Sequence, residues 1–259
     1  MARFKVRLEY DGTRYSGWQK QQNSKTVQGT LLKIGQEIFN SRDIDIQGSG
    51  RTDSGVHASC QIAHLDAKTM LAPEIIKMKF NDKLPYDINI IEVEKTNPKF
   101  HARHDAVKRS YVYQISRSRT AFLKQYVWWI KDTLDFAKME NAAQLFVGMH
   151  NFASFADKDM EDKSTKVLIE EVQLKEAGDL ILIRIAGSHF LWKMVRRITG
   201  VLAGVGRGKM NEDDIKFFLE NFSKKPAEFT APPSGLFLEQ ILYKGDKWKS
   251  SLEPIIFHS

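Results

Sequence analysis

The order in which apolar patterns follow one another constrains this chain most. Residues 3–10 alternate strictly, with Phe4, Val6, Leu8 and Tyr10 on one face and Arg3, Lys5, Arg7 and Glu9 on the other. That period of two predicts a half-buried strand. Thr26 can cap a helix that carries Val27, Leu31, Ile34 and Ile38 on one side. Strands are expected near 44–47 and 60–65. Pro73 fits the first turn of a helix reaching about Phe80, and a strand follows near Ile88–Val93. The order is β-α-β-β-α-β, the split ferredoxin-like unit. The second half repeats that order without repeating the residues. It offers a strand near Val107–Ser116, a helix near Leu134–Val147 stopped by Gly148, strands near Val167–Leu174 and Leu180–Ala186, and a helix from about His189 to Val205. An extra helix is capped by Asn211, with three acids in its first turn, and Leu236–Tyr243 is the closing strand. The pattern predicts an α+β fold of two ferredoxin-like halves, residues 1–103 and 104–259. Their sheets would join into one mostly antiparallel sheet, with helices packed on it and a cleft between the halves. The join would be the stretch Glu94–Arg103.

Between the second and third predicted strands stands Gly48-Ser49-Gly50-Arg51-Thr52-Asp53-Ser54-Gly55-Val56-His57-Ala58. Its glycines open backbone conformations closed to other residues, so such a loop can hold one side chain rigidly. Asp53 is the only acid between Asp45 and Asp66, and Arg51 lies two positions before it. A neighbouring cation favours an ionised carboxylate, able to serve as nucleophile or base. The same residues also fit a Gly-rich turn in which Asp53 caps a local N–H. The loop is not a phosphate loop, since no Gly-Lys-Ser/Thr follows. It is not a dinucleotide fingerprint either, since Asp53 stands where the third Gly is needed.

Three other segments draw notice. The loop Asp11-Gly12-Thr13-Arg14-Tyr15-Ser16-Gly17-Trp18-Gln19 is either a surface turn or, with Trp18 and Tyr15 beside Arg14, a stacking surface for RNA. Arg109, Tyr111 and Tyr113 share one face of a strand. Such a row is commonly core, but Arg109 on that face would be costly to bury without a partner, which points to a cleft floor. Gly187 to Arg197 opens the second half's main helix, with Phe190, Met194, Ile198, Val201 and Leu202 as its apolar stripe. Arg196 and Arg197 on that helix also read as a solvated charge pair. His101 and His104 have helical ligand spacing, but the further ligands of a zinc site are not evident, so no metal is expected.

The net charge of +7 favours a polyanionic partner. The single cysteine, Cys60, excludes an internal disulfide and a cysteine zinc site, and it fits a reducing cytoplasm. The opening residues read as a strand and not a signal peptide. No apolar run approaches membrane-spanning length.

Gly50–Ala58, GRTDSGVHA, resembles the signature of the tRNA pseudouridine synthase A (TruA) family, G-R-T-D-x-G-V-H-A. The resemblance extends to the loop 10–19 (YDGTxYxGWQ), to Arg109-Ser110-Tyr111-Val112-Tyr113 (R-x-Y-x-Y), to Phe100–Arg103 and to Gly187–Arg196 (G-x-x-F-L-x-x-M-V-R). It implies RRM-like halves and isomerisation of uridine to pseudouridine, with Asp53 as catalytic carboxylate. Tyr111 would stack on the uracil and relay a proton, and Arg196 would be the ion-pair partner of Asp53. Arg51 would fill the place of the flipped base, and Arg14, Trp18 and Arg109 would meet RNA. His189 stands where members often have a small residue or Asn, and it is given no role. The implied substrate is tRNA at uridines 38–40 of the anticodon stem–loop, bound by a cytoplasmic homodimer that needs no cofactor. Two rival readings are a related synthase acting at other RNA positions and an RNA-binding module without chemistry.

Overall fold

A computed structural model describes residues 1–157 and 164–256. Its strands and helices run in the order β1 (Ala2–Tyr10), α1 (Val27–Phe39), β2 (Asp45–Gly48), β3 (His57–Ala67), α2 (Pro73–Asn81), β4 (Ile88–Lys95), β5 (Ala106–Ser116), β6 (Trp128–Trp129), α3 (Phe136–Ala143), β7 (Gly148–Asn151), β8 (Lys166–Ala177), β9 (Leu180–Gly187), α4 (Met194–Gly206), α5 (Glu212–Glu220), α6 (Lys225–Glu228) and β10 (Leu236–Tyr243). The protein is α+β, and its strand pairs are mostly antiparallel; β10 with β3 and β5 with β6 are parallel.

The chain divides into two compact units, Met1–Val107 with Phe237–Trp248, and Lys108–Leu236 with Lys249–Ser259. In the first, the order β1-α1-β2-β3-α2-β4 is the one the sequence predicts. β1 lies between β3 and β4, antiparallel to both. Its alternation has the expected cause: Phe4, Val6, Leu8 and Tyr10 are buried, with Val6 and Leu8 facing Leu31 of α1 and Ile76 and Phe80 of α2 across a small cavity. Thr26 caps α1 by accepting the Gly29 N–H (3.2 Å), and Val27, Leu31 and Ile34 are buried. Burial of a side chain of that size stabilises by about 1.5–3 kcal/mol. Asn40 ends α1 in the left-handed conformation (φ 45°), a place where Asn is tolerated.

The far edge of β3 is shared. Asp45–Gly48 of β2 pair with Ala63–Asp66, and Phe237 and Leu238 of β10 pair in parallel with His57 and Ala58. β10 was expected to close the second half. Its pairing with β3 puts it in the first unit, because the chain returns there after the whole of the second.

In the second unit β9 lies between β5 and β8, and β8 pairs with β7, all antiparallel. The helix expected from His189 begins only at Met194, since Lys193 takes a left-handed conformation (φ 63°) that breaks the turn before it. The helix expected over 134–147 is shorter, Phe136–Ala143 followed by one 3-10 turn. The expected extra helix is α5. Asn211 accepts the Asp214 N–H while Asp214 accepts the Asn211 N–H, a reciprocal cap.

Candidate active site

Asp53 sits on the connection between β2 and β3, and that connection is tied down along its length. The Ser49 N–H donates to Ile62 O (2.8 Å), the Ser49 hydroxyl donates to Gln61 Oε1 (2.8 Å), and Gln61 Nε2 donates back to Gly50 O (3.0 Å). Thr52 is buried, with its hydroxyl 2.8 Å from that of Tyr10. The Val56 N–H closes a tight turn on Asp53 O (3.1 Å), with Gly55 at φ +77°. Asp53 itself is half-buried, and Arg51 is exposed.

The loop 11–19 braces this turn. The Trp18 N–H donates to Thr52 O (3.1 Å), while Tyr15 O accepts both the Gly55 N–H (3.3 Å) and the Ser54 hydroxyl (3.2 Å). Gly17, at φ +87°, lets the two strands of chain touch: a Cβ there would lie 2.5 Å from Thr52 O. Trp18 was expected to meet RNA. It is instead 2% exposed, its ring against Gly48 and 6.0 Å from the Tyr10 ring, so it supports the Asp53 loop from within the core. Arg14 is exposed, on the 3-10 turn Gly12–Arg14 that Asp11 caps. Asp11 Oδ1 also lies 3.1 Å from His57 Nδ1, but that nitrogen accepts the Gly12 N–H (3.0 Å). A ring nitrogen accepting a hydrogen bond carries no proton, so the contact is proximity and not an ion pair.

The remaining expected residues lie in the second unit. Arg109, Tyr111 and Tyr113 do share a face of β5, but Ser110, Val112 and Gln114 on the other face are buried as well. Arg109 is 9% exposed, and its guanidinium donates to Ser188 O (2.8 Å), which offsets part of the cost of burying it. Tyr111 meets Phe190 edge to face, ring centroids 5.1 Å apart. The segment 188–190 thus holds both Arg109 and Tyr111.

Arg196, on the first turns of α4, donates through Nε to Ala231 O (2.7 Å), and its own carbonyl accepts the Ala231 N–H (3.1 Å). The next residue, Pro232, takes the Tyr113 hydroxyl on its carbonyl (2.8 Å). Tyr113 is fully buried, which pushes its hydroxyl pKa well up, against the pull of the Arg196 charge. α4 approaches this segment closely because Gly200 has no side chain; a Cβ there would stand 1.5 Å from Phe229 O. The stretch Ala231-Pro232-Pro233-Ser234-Gly235 had gone unread, although its two prolines and glycine mark a fixed turn.

A second unread residue is Asp157. It takes Lys193 (2.6 Å) and Arg197 on its two carboxylate oxygens, and its N–H donates to Trp192 O (3.1 Å). Burial would raise the Asp157 pKa, but the two cations outweigh it and hold the pKa below the usual range. Asp157 therefore fixes the strained Lys193 that starts α4, the helix that carries Arg196.

Among the described residues Asp45, His64 and Asp66 bring potential ligand atoms within 4.8 Å of one another. Arg3 already occupies Asp66 through two hydrogen bonds (2.7 and 2.5 Å), and His64 Nδ1 accepts the Ala102 N–H (3.2 Å). The guanidinium supplies the positive charge that an ion would bring. His101 Nδ1 accepts two backbone N–H groups, from Arg103 and His104, so this segment is held as structure.

One unit holds a half-buried carboxylate on a braced loop, and the other holds a buried tyrosine packed on Phe190 and an anchored guanidinium. No helix among the described residues is long and apolar enough to cross a membrane. The family model described as tRNA pseudouridine synthase matches residues 8–105 and 142–244. A protein of Thermodesulfovibrio yellowstonii, named tRNA pseudouridine synthase A, is 35% identical over 255 residues, covering 94% of this chain and all of its own. Proteins of the same name from Exiguobacterium sibiricum (37% identical, 95% of this chain and 99% of theirs) and Allorhizobium ampelinum (38%, 96% and 98%) match as fully. By the extent of these matches, the chain belongs to the tRNA pseudouridine synthase family.

Proposed function

We propose that this protein converts uridine to pseudouridine at positions 38–40 of the tRNA anticodon stem–loop, with Asp53 as the catalytic carboxylate. The observation that carries the reading is the bracing of the Asp53 turn. Hydrogen bonds from two loops fix the backbone of the turn that carries this half-buried carboxylate before substrate arrives. Preorganisation of this kind lowers the cost of reaching the transition state.

The reaction is an isomerisation, so it consumes no oxidant, phosphate donor or other co-reactant. The N1–C1′ bond breaks, the uracil turns, and C5 bonds to C1′; the C5 proton is lost and N1 gains one. Asp53 attacks C1′ or uracil C6, or assists formation of a glycal; the reading holds for each. The target uridine must leave its stack to be reached. Tyr111 stacks on the turned-out uracil and relays a proton, and Arg51 fills the vacated place. Arg196 holds Asp53 ionised; a nearby cation lowers an Asp pKa by about 1–3 units. Arg14 and Arg109 contribute to holding RNA, and the +7 charge favours a polyanion. The working form is a cytoplasmic homodimer in which each tRNA touches both subunits.

The test is chemical labelling of pseudouridine in an unmodified tRNA transcript incubated with the protein, read position by position. Conversion at 38–40 is expected. Conversion only elsewhere moves the protein to another target, and binding without conversion makes it an RNA-binding module. The tRNA of a strain lacking the protein should show the same sites unmodified.

A further inference from the structure

Tyr86 is 81% exposed, yet the turn that carries it is tied down by hydrogen bonds. Asp87, the next residue, is buried, accepts the Asp11 N–H on its carbonyl (2.9 Å) and takes the Tyr15 hydroxyl on its carboxylate (2.5 Å). The Ile88 N–H closes the turn on Pro85 O (3.0 Å). Burial, together with the hydrogen bond to Asp87, pushes the Tyr15 hydroxyl pKa well up, so Tyr15 remains a donor. Over one face of the Tyr86 ring lies the guanidinium of Arg14, 5.3 Å from the centroid. Arg14 is also exposed and precedes Tyr15, whose carbonyl receives both hydrogen bonds from the Asp53 turn. The Lys25 ammonium sits 4.5 Å from the Tyr15 ring and adds a second cation to this side. Arg14 is thus one residue from the carbonyl that bonds the Asp53 turn, and Tyr86 is one residue from the Asp87 bonds that hold Asp11 and Tyr15.

A tyrosine left in water beside a cation, on a turn held by hydrogen bonds, has a flat face ready for a partner. The ring suits stacking and the guanidinium suits a phosphate. We propose that Arg14 and Tyr86 form a clamp for one unpaired nucleotide of the RNA substrate, with the base on the open face of Tyr86 and a phosphate on Arg14. The proposal rests on the tRNA reading above and names a site within it. The occupant is single-stranded, because a base inside a duplex has both faces covered by its neighbours. It is a nucleotide flanking the target, since the clamp is built into the frame of the Asp53 loop.

Equilibrium binding of an unmodified tRNA transcript with uridines at 38–40, and of a blunt RNA duplex, tests this. Both are compared for the wild-type protein and for the Tyr86→Ala, Tyr86→Phe and Arg14→Gln variants. Loss of one stacked base is expected to weaken tRNA binding by Tyr86→Ala about tenfold to a hundredfold, while Tyr86→Phe, which keeps the ring, stays within about twofold. Duplex binding should not respond to either. Arg14→Gln should reduce the log–log salt slope by about 0.7–0.9, and Tyr86→Ala should leave it alone. Both side chains are exposed, so unfolding midpoints should match the wild type and exclude misfolding. Tyr86→Ala binding tRNA as the wild type does, or Tyr86→Phe losing as much as Tyr86→Ala, would overturn the clamp. Uridine conversion by the wild type in the same samples keeps the two readings apart. Conversion with an indifferent Tyr86→Ala sinks the clamp alone, whereas absence of both binding and conversion sinks the tRNA reading and the clamp with it.

Discussion

Gly17 and Thr52 meet where a side chain would otherwise have to be: a Cβ on Gly17 would lie 2.5 Å from the Thr52 carbonyl oxygen, and Gly17 holds φ +87°. The contact couples the loop 11–19 to the loop of Asp53. Gly17→Ala must either shift the Asp53 loop or distort its own backbone, which costs about 1–3 kcal/mol at such a position. The expected outcome is a lower denaturant midpoint and a larger loss in single-turnover isomerisation than in tRNA affinity. Equal losses in rate and affinity would place the damage in the fold at large.

Asp53→Asn should keep the fold and tRNA binding and abolish turnover. Asn is nearly isosteric with Asp, and the turn is braced through the Thr52 and Ser54 hydroxyls and the backbone of Thr52, Asp53, Gly55 and Val56. Removal of a reacting carboxylate is expected to slow the chemical step by at least about a thousandfold. Turnover above about one hundredth of wild type would take Asp53 out of that role.

Tyr111→Phe keeps the ring that packs on Phe190 and loses only the hydroxyl. Affinity for tRNA should be unchanged while the single-turnover rate falls by about ten- to a hundredfold, within the range of one lost proton-transfer group. An unchanged rate would leave Tyr111 as a platform alone.

Acid should loosen the first unit. The His64 and His101 rings meet edge-on with centroids 4.8 Å apart, and the His101 and His104 rings lie tilted to one another at 4.1 Å. Burial lowers the His64 pKa most, helped by Arg3 and His101. Burial also leads for His101, helped by His104 and Arg3; Asp66, Asp45 and Asp105 oppose these shifts. Both folded-state values are depressed, so the unfolded chain takes up protons first. The stabilisation is complete above the ordinary histidine pKa of about 6.5 and is lost as pH falls through the window below it. Asp66, lowered chiefly by its hydrogen bond to Arg3, extends the loss below the ordinary aspartate value. Urea midpoints measured between pH 7.5 and 5 should fall (that interval spans about one unit above the free histidine pKa and more than one below it). In His101→Gln the fall should be shallower; an equal fall would assign it to other groups.

Much of this was written in the residues. The alternation of residues 3–10, Thr26 and Asn211 as caps, and Pro73 in a first turn are local signals, and local chemistry decided them. The Asp53 loop reads as a fixed turn from its glycines alone, and only the resemblance of GRTDSGVHA to the family signature singles out its carboxylate. What could not be read depended on partners distant in sequence. Trp18 resembles a surface aromatic until Gly48 and Tyr10 close over it. The late start of α4 depends on Asp157 holding Lys193 in a conformation its own sequence disfavours. Arg184 is a fully buried charge on β9, satisfied by Gln173 and by the carbonyls of Ser250 and Ser251, which no periodicity announces. β10 was found at its correct residues, but its neighbour was not, because strand pattern carries no information about which edge a strand joins.

The return of the chain to place β10 against His57 and Ala58 sets a timetable for biosynthesis. The ribosome delivers β1 to β4 and the Asp53 loop early, but Phe237 and Leu238 emerge only after residues 108–236. Until then the start of β3 is an unpaired edge, and the His57 ring lacks the Phe237 ring that later stacks on it at 4.7 Å. The nascent first unit is therefore open to pairing with other chains at the very strand that leads out of the Asp53 turn. A polypeptide cut short before residue 237 would carry every residue of the GRTDSGVHA loop and still lack the strand that fixes its exit.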